Sequence, residues 1–375
     1  MRTWLNVFVT AISFILLILM TGMYQGMDAH ARQVTIESEI AGGAYWHPIY
    51  DPTDPFTLED AHGVPPQPVV DLVNTGAAMP VLVSQASIYP NGRIMPVMMK
   101  GVEPRQTIVD MPAASLLAYE GESIPVLIGS GMARRANVKV GDTFTIRWLD
   151  ANRTYDADEG IVVSIFKTEN FKIDFGQIWI PLERAQTMLN MAGEATYVSY
   201  AQGLEPLSDT DGWLHRDVGY LTSDMTALIE AKKPGSYILF TILIALAAMG
   251  IFNSQVLTIF RRHKEIGTLM ALGMTRSKVV GLFTAEGGMN AFFALIMSVV
   301  LGGPLFYWTA TSGIPMPDYS TSGLMIAQRL IPVYPFALFV STTALVSIIV
   351  TVVSYLPSRR IAKMKPTEAL RGKVA

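Results

Sequence analysis

Arg261-Arg-His-Lys-Glu-Ile-Gly-Thr-Leu-Met-Ala-Leu-Gly-Met-Thr-Arg-Ser-Lys278 is a short basic stretch set between two long apolar segments. Read as a helix starting near His263, it places Ile266, Leu269, Met270 and Gly273 along one side, with Leu272 and Met274 close by. Arg261, Arg262 and Lys264 stand at one end, and Arg276 and Lys278 at the other. Two physical readings are open. An amphipathic linker could rest on anionic lipid, drawn by its positive charge. A docking helix could lay its apolar residues in a groove on a partner protein. Composition does not choose between them.

The flanking segments set the frame. Apolar residues concentrate in blocks 4–24, 237–260, 279–308 and 334–356. Each is near the ~20 residues that cross a ~30 Å hydrocarbon core. The expected fold is therefore a membrane protein of four transmembrane α-helices, with a large α+β extracytoplasmic domain inserted between helices 1 and 2. The divisions are 1–27 (helix 1), 28–235 (outer domain, in one or two lobes), 236–260 (helix 2), 261–278 (cytoplasmic loop), 279–308 (helix 3), 309–333 (short outer loop), 334–356 (helix 4) and 357–375 (basic tail).

Charge orients this plan. Residues 28–235 hold 15 Lys/Arg against 27 Asp/Glu, whereas 1–3, 261–278 and 357–375 together hold 12 Lys/Arg and only Glu265 and Glu368 as acids. Positive charge follows the cytoplasmic side, so both chain ends and the 261–278 loop lie inside and residues 28–235 outside. Residues 1–27 read either as an anchor or as a signal peptide ending at Ala29-His30-Ala31, and the length of the apolar run favours the anchor.

The outer region mixes strand and helix signals without βαβ spacing. Alternation in 34–40 reads as a strand, and 46–68 as a long Pro/Asp-rich loop. Strands at 81–88 and 94–101 flank Pro90-Asn-Gly92, a hairpin signal. Phe144, Ile146 and Trp148 alternate inward. A last helix over 223–231 is expected to lead to the membrane at Pro234-Gly235.

Catalytic chemistry is missing. No G-x-x-x-x-G-K-[ST], H-E-x-x-H or G-x-S-x-G pattern occurs, and cysteine is absent. The chain is thus not expected to be an enzyme or to bind a cofactor or nucleic acid. His47 and His62 share an acidic loop with Asp51, Asp54, Glu59 and Asp60, which suits a solvated loop better than a metal site. Gly129-Ser-Gly131 reads as a turn or an anion-binding nest. Glu286, beside Gly287-Gly288 in the third block, is the membrane-embedded polar candidate. It stands two turns from Lys278, where headgroup-level pairing with basic residues competes with a functional role. Ser341, Ala344, Ser347, Thr351 and Ser354 share one helical face, suited to close packing within the chain or between subunits.

Arg262-His-Lys-Glu265-Ile-Gly-Thr-Leu-Met-Ala-Leu-Gly273-Met-Thr-Arg276 resembles the E-I-G-x-x-x-A-L-G-x-x-[RK] signature of FtsX-like ABC transporter permeases, the group of MacB and LolC–LolE type transmembrane subunits. Two other stretches agree. The tail Leu356-Pro-Ser-Arg-Arg-Ile-Ala-Lys-Met-Lys-Pro366-Thr-Glu-Ala-Leu-Arg371 is similar to that family's closing segment. Met132-Ala-Arg-Arg-Ala-Asn-Val-Lys-Val-Gly-Asp142 and Trp179-Ile-Pro-Leu-Glu183 are similar to its periplasmic domain.

The resemblance implies mechanotransmission. A separate cytoplasmic P-loop ATPase, in two copies, hydrolyses ATP with Mg and pushes a coupling helix. The membrane helices relay the motion to a periplasmic domain. That helix would comprise Glu265, Ile266, Gly267, Leu269, Met270, Ala271, Leu272 and Gly273. Ile266, Leu269 and Met270 would fill the ATPase groove, and Glu265 and Arg276 would make polar contacts. Gly273 also suits a plain helix stop. The implied setting is a bacterial inner membrane, with a homodimer or a heterodimer with a paralogous permease in contact with lipid. A periplasmic chaperone or membrane-fusion protein is a further partner class. The implied cargo is amphiphilic, with lipoprotein release or lipid export favoured. The alternative is a non-transporting FtsX-like regulator that activates a periplasmic partner such as a cell-wall hydrolase.

Overall fold

The computed structural model describes residues 2–168, 170–208, 210–315 and 329–361. The chain divides into two compact units, one from the long apolar helices and their links, the other from Ala29–Ala227.

The second unit is built on a nine-stranded mixed sheet. Its strands are β1 (Gly43–Trp46), β2 (Ala78–Tyr89), β3 (Met95–Val102), β4 (Ile124–Gly129), β5 (Thr143–Leu149), β6 (Tyr155–Phe166), β7 (Gln177–Pro181), β8 (Tyr197–Tyr200) and β9 (Leu214–Asp217). The order is β3-β7-β4-β6-β5-β2-β8-β1-β9, and β2 also pairs with β3. That extra pairing closes six strands into a ring, from which β8, β1 and β9 extend as a wing. The twelve-residue β2 serves both parts: Ala86–Tyr89 pairs with β5, and Ala78–Val81 with β8.

Local chemistry explains these elements. The β2–β3 hairpin turns at Asn91 (φ +50°) and Gly92 (φ +75°), consecutive left-handed residues of the kind an Asn-Gly pair supplies. In β5, Phe144, Ile146 and Trp148 are buried while their neighbours are exposed, so every second side chain enters the ring's core with Leu82, Ile88 and Val126. Gly129-Ser-Gly131 ends β4 and opens a helix, Ser130–Ala136. The nest is already filled: Asp174 Oδ1 accepts from the Gly131 amide at 2.8 Å and from Ser130 Oγ at 3.2 Å. In the histidine loop, Asp54 caps a short turn through the Phe56 amide at 3.0 Å, and His62 pairs with Glu194. Among the described residues, no group of three metal-ligating side chains is assembled.

Among the described residues, four helices are long and apolar enough to cross a membrane. Across both units, the α-helices in chain order are α1 (Arg2–Thr35), α2 (Gln67–Asn74), α3 (Ser130–Ala136), α4 (Phe171–Gly176), α5 (Leu182–Leu189), α6 (Val218–Leu221), α7 (Ser223–Arg261), α8 (His263–Ala271), α9 (Arg276–Ser312) and α10 (Phe336–Ile361). The apolar ones are α1, α7, α9 and α10. Phe14 and Ile18 of α1 pack with Phe306 of α9 and Leu338 of α10, and Val7 and Ala11 of α1 meet Ala294 of α9. Large apolar side chains such as Leu246, Val299 and Ile348 face outward, as lipid contact requires. Two short strands, β10 (Ile314–Pro315) and β11 (Arg329–Leu330), pair beyond α9.

Two local readings are corrected. The 34–40 alternation is not a strand: the helix continues through Thr35 and closes with a π-turn over Ile36–Ile40. Thr35 and Ser38 bond back to the carbonyls of Ala31 and Val34 at 2.9 and 2.6 Å, and Gln33 reaches Glu37 at 2.8 Å, which holds the segment helical despite its β-branched residues. Nor does the helix beginning at Ser223 stop at Ala231, because α7 runs on through Pro234 to Arg261. A single proline removes one backbone bond, and a long helix with apolar packing tolerates that loss. The tail stretch 362–375, with Pro366 and Arg371, and the loop 316–328 lie outside the described residues.

Candidate coupling site

The 261–278 stretch forms a helical elbow. Arg262 leaves helical geometry (φ −99°, ψ 14°), separating α7 from α8. The nine residues of α8 then end in a Schellman cap: Gly273 N–H donates to the Met270 carbonyl at 3.1 Å, and Met274 N–H to that of Leu269 at 3.0 Å. Gly273 has φ +94°, a conformation that disfavours any side chain. The chain then turns at Thr275 into α9.

The apolar side of α8 points back into its own chain. Ile266 is 2% exposed and packs with Ile259 of α7 and Val279 and Phe283 of α9, and Met270 and Met274 cover the same cluster. This differs from the expectation that Ile266 and Met270 fill a groove on another protein. The cluster between α7 and α9 takes them first, because it lies within one turn of the elbow. Gly267 is also buried and Leu269 half-buried. Lys264, Glu265, Thr268 and Ala271 face outward, and Leu272 is 80% exposed. Arg276 is exposed at the start of α9.

One arginine ties the elbow together. Arg262 Nε donates to Glu265 Oε2 at 2.7 Å, and Nη1 reaches both oxygens of Glu286 at 3.0 and 2.9 Å. Its guanidinium also lies 5.4 Å from the centre of the Phe283 ring. Glu286 stands ten residues into α9, about 15 Å along its axis. The Glu265 hydrogen bond, followed by the charge of Glu286, raises the Arg262 pKa further above its ordinary value. Both carboxylates are roughly half-exposed, so in water each pair contributes at most about 1 kcal/mol. The connectivity matters more than the energy: a single side chain spans α8 and α9.

At the next residue, Gly287, the helices approach closely. A Cβ added to Gly287 would stand 2.3 Å from Ser354 Oγ of α10 and 2.7 Å from Gln255 Nε2 of α7. Glycine at 287 therefore lets three helices meet at one point. Of the small-residue face of α10, Ser354 is fully buried at this meeting point, whereas Ser341, Ala344 and Thr351 remain exposed.

Sequence reading had singled out Glu286 and named headgroup-level basic residues as partners; the structure supplies Arg262. Ser354 is on the face read as suited to close packing, and the structure adds Gly287 and Gln255 as what it packs against. The Arg262–Glu265 spacing of three is a legible helical pair signal. The meeting of Gly287 with Ser354 and Gln255 joins residues far apart in the chain and leaves no local signal.

Residues 237–366, which contain this elbow, match the model of the FtsX-like permease C-terminal domain. The chain is 24% identical over 323 residues to the lipoprotein-releasing system transmembrane protein LolC of Neisseria meningitidis serogroup B, covering 79% of this chain and 78% of that one. It is 25% identical over 327 residues to LolC of Xylella fastidiosa (78% and 77%), and 24% identical over 271 residues to an ABC transporter permease of Methanocaldococcus jannaschii (68% and 63%). The family match falls on α7 through α10, and the similarity to these relatives extends over most of the chain. With four helices able to cross a membrane among the described residues and a sheet domain between the first and second, the chain carries an FtsX-like permease C-terminal domain over residues 237–366 and is similar over most of its length to ABC transporter permeases.

Proposed function

We propose that this chain receives the stroke of a separate P-loop ATPase on α8 and passes it to α9, so that ATP hydrolysis drives periplasmic handling of an amphiphilic cargo. The observation that carries this reading is the two-sided build of the elbow. Ile266 and Met270 fasten α8 inward, Arg262 joins it to Glu286, and Leu272 with its polar neighbours is left facing outward. A helix fastened on one side and presented on the other transmits force rather than absorbing it.

In this reading two ATPase copies, which hold the ATP and Mg, close on nucleotide and displace α8. The permease acts as a pair, either two copies of this chain or this chain with a paralogue, in a bacterial inner membrane. The sheet domain lies on the periplasmic side, where a chaperone or membrane-fusion protein takes over the cargo. The two LolC relatives favour a lipoprotein as that cargo. Glu265 and Arg276 supply polar contacts to the ATPase, and Leu272 with half-buried Leu269 the apolar one.

Leu272→Asp tests this. The residue is a surface one, so melting temperature and membrane insertion stay as in wild type. Stimulated ATP hydrolysis by the reconstituted complex falls at least about tenfold, as burying an unpaired charge at a contact predicts. Full coupling in the variant overturns the assignment.

A further inference from the structure

A cavity of about 440 Å³ lies wholly within the sheet domain. Its floor follows from register. Ala44 stands opposite Ser199 and Trp46 opposite Tyr197, so these four side chains share one face of the β1–β8 pair. Tyr45, Val198 and Tyr200 point the other way, into a separate cluster.

The walls are aromatic and acidic. Tyr50 stacks on Tyr197 at 5.8 Å and meets Trp46 edge-on at 4.9 Å, while Tyr220 meets Trp46 edge-on at 5.9 Å. Glu39, Asp51 and Asp224 line the space, and among the described residues no Lys, Arg or His does. Nearby cations are already placed: Lys100 is bound to Glu39 at 2.7 Å, and Arg216 lies over the rings of Trp46 and Tyr220 without lining the cavity. Ser199 also lines it. That residue is 1% exposed, and its hydroxyl has no hydrogen-bond partner. Buried hydroxyls are nearly always paired, so this one marks a place for a ligand group.

We propose that this cavity binds an organic cation, an amine or quaternary ammonium group on a small apolar body. Ring faces attract such a cation through their quadrupoles, and the carboxylates of Asp51 and Asp224 add charge that Lys100 does not already neutralise. The same carboxylates repel phosphate and carboxylate ligands. This assignment is independent of the coupling role given to α8.

The test uses the full chain in nanodiscs of phosphatidylglycerol, whose headgroup carries no amine. Calorimetric titration with choline is compared with 3,3-dimethylbutan-1-ol, its uncharged isostere, and with inorganic phosphate. Choline binds saturably, the isostere at least about tenfold more weakly, and phosphate does not bind. Tyr50→Leu and Asp224→Asn each weaken choline at least about fivefold. Asp224 is exposed in the first turn of α7, so its substitution leaves the fold intact and separates lost binding from lost folding. A second arm uses dodecyltrimethylammonium below its micelle concentration. Tighter binding than choline identifies a lipid-like source, equal binding a free amine, and both retain the cation. Absence of choline binding, equal binding of the isostere, phosphate binding, or unchanged choline binding in both variants overturns the proposal.

Discussion

Arg262 holds both oxygens of Glu286 with one nitrogen while its Nε holds Glu265, so the elbow and the third apolar helix share a single guanidinium. Charge-assisted contacts of this kind are shorter and stronger than neutral ones and carry direction as well as energy. A displacement of α8 therefore has a defined route to a point about 15 Å along α9.

The first prediction concerns that route. Arg262→Ala leaves the helices inserted but lowers coupled ATP hydrolysis by up to about tenfold, in line with the loss of two pairs of at most about 1 kcal/mol each. Glu286→Gln has a smaller effect in the same direction. The double charge swap Arg262→Glu with Glu286→Arg recovers part of the loss. A double-mutant cycle on the hydrolysis rate reads the coupling directly.

A second prediction concerns the meeting of three helices at Gly287. Gly287→Ala forces its methyl against Ser354 and Gln255 and destabilises the helical unit by about 1–3 kcal/mol. Ser354→Gly in the same chain removes both Ser354 contacts and restores most of the melting temperature. A melt in detergent measures both.

The third lies in the sheet domain. Lys100 is buried against Glu39, which sits in the π-turn that closes α1. Burial alone would lower the Lys100 pKa, but Glu39 and the neighbouring Tyr197 and Tyr50 hold it above its ordinary value. A raised lysine contributes stability that is fully present below its unfolded pKa of about 10.4, so this contribution is constant across neutral pH. Glu39→Gln strands the ammonium and costs about 3–5 kcal/mol. Adding Lys100→Met recovers most of that in a thermal melt.

His47 gives a pH prediction of opposite sign. Burial, with help from His62, pushes its pKa below the ordinary histidine value, against a smaller upward pull from Glu194. Its stabilising contribution is present above about pH 6.5 and is lost as pH falls through the lowered folded value. Melting temperature therefore drops on acidification through that window, and His47→Gln flattens the drop.

Elements with a strong local signal were legible in the sequence. Phe144, Ile146 and Trp148 alternate because a strand has period two, and Asn91-Gly92 turns a hairpin because both residues accept left-handed backbone. The four apolar runs were legible for the same reason. Residues 34–40 misled because a β-branched alternation looks alike whether or not Thr35 and Ser38 bond back along a helix. At the coupling site, helical spacing put Ile266 and Met270 on one apolar side but could not say what that side meets. Only the arrival of Val279 and Phe283 from α9 settles that it meets its own chain. Leu272 follows the last helical turn, and the Gly273 cap swings it outward.

The chain contains no cysteine, so a single introduced one reports on whether α8 meets the ATPase. Leu272→Cys and, separately, Ile266→Cys are each assembled with the ATPase and treated with a short thiol–amine crosslinker, with and without ATP. An adduct to the P-loop ATPase forms from position 272, with a yield that changes with nucleotide, and none forms from position 266, which is 2% exposed. No adduct from 272 in an assembled, ATP-hydrolysing complex, or equal adducts from both positions, would contradict the coupling role of α8.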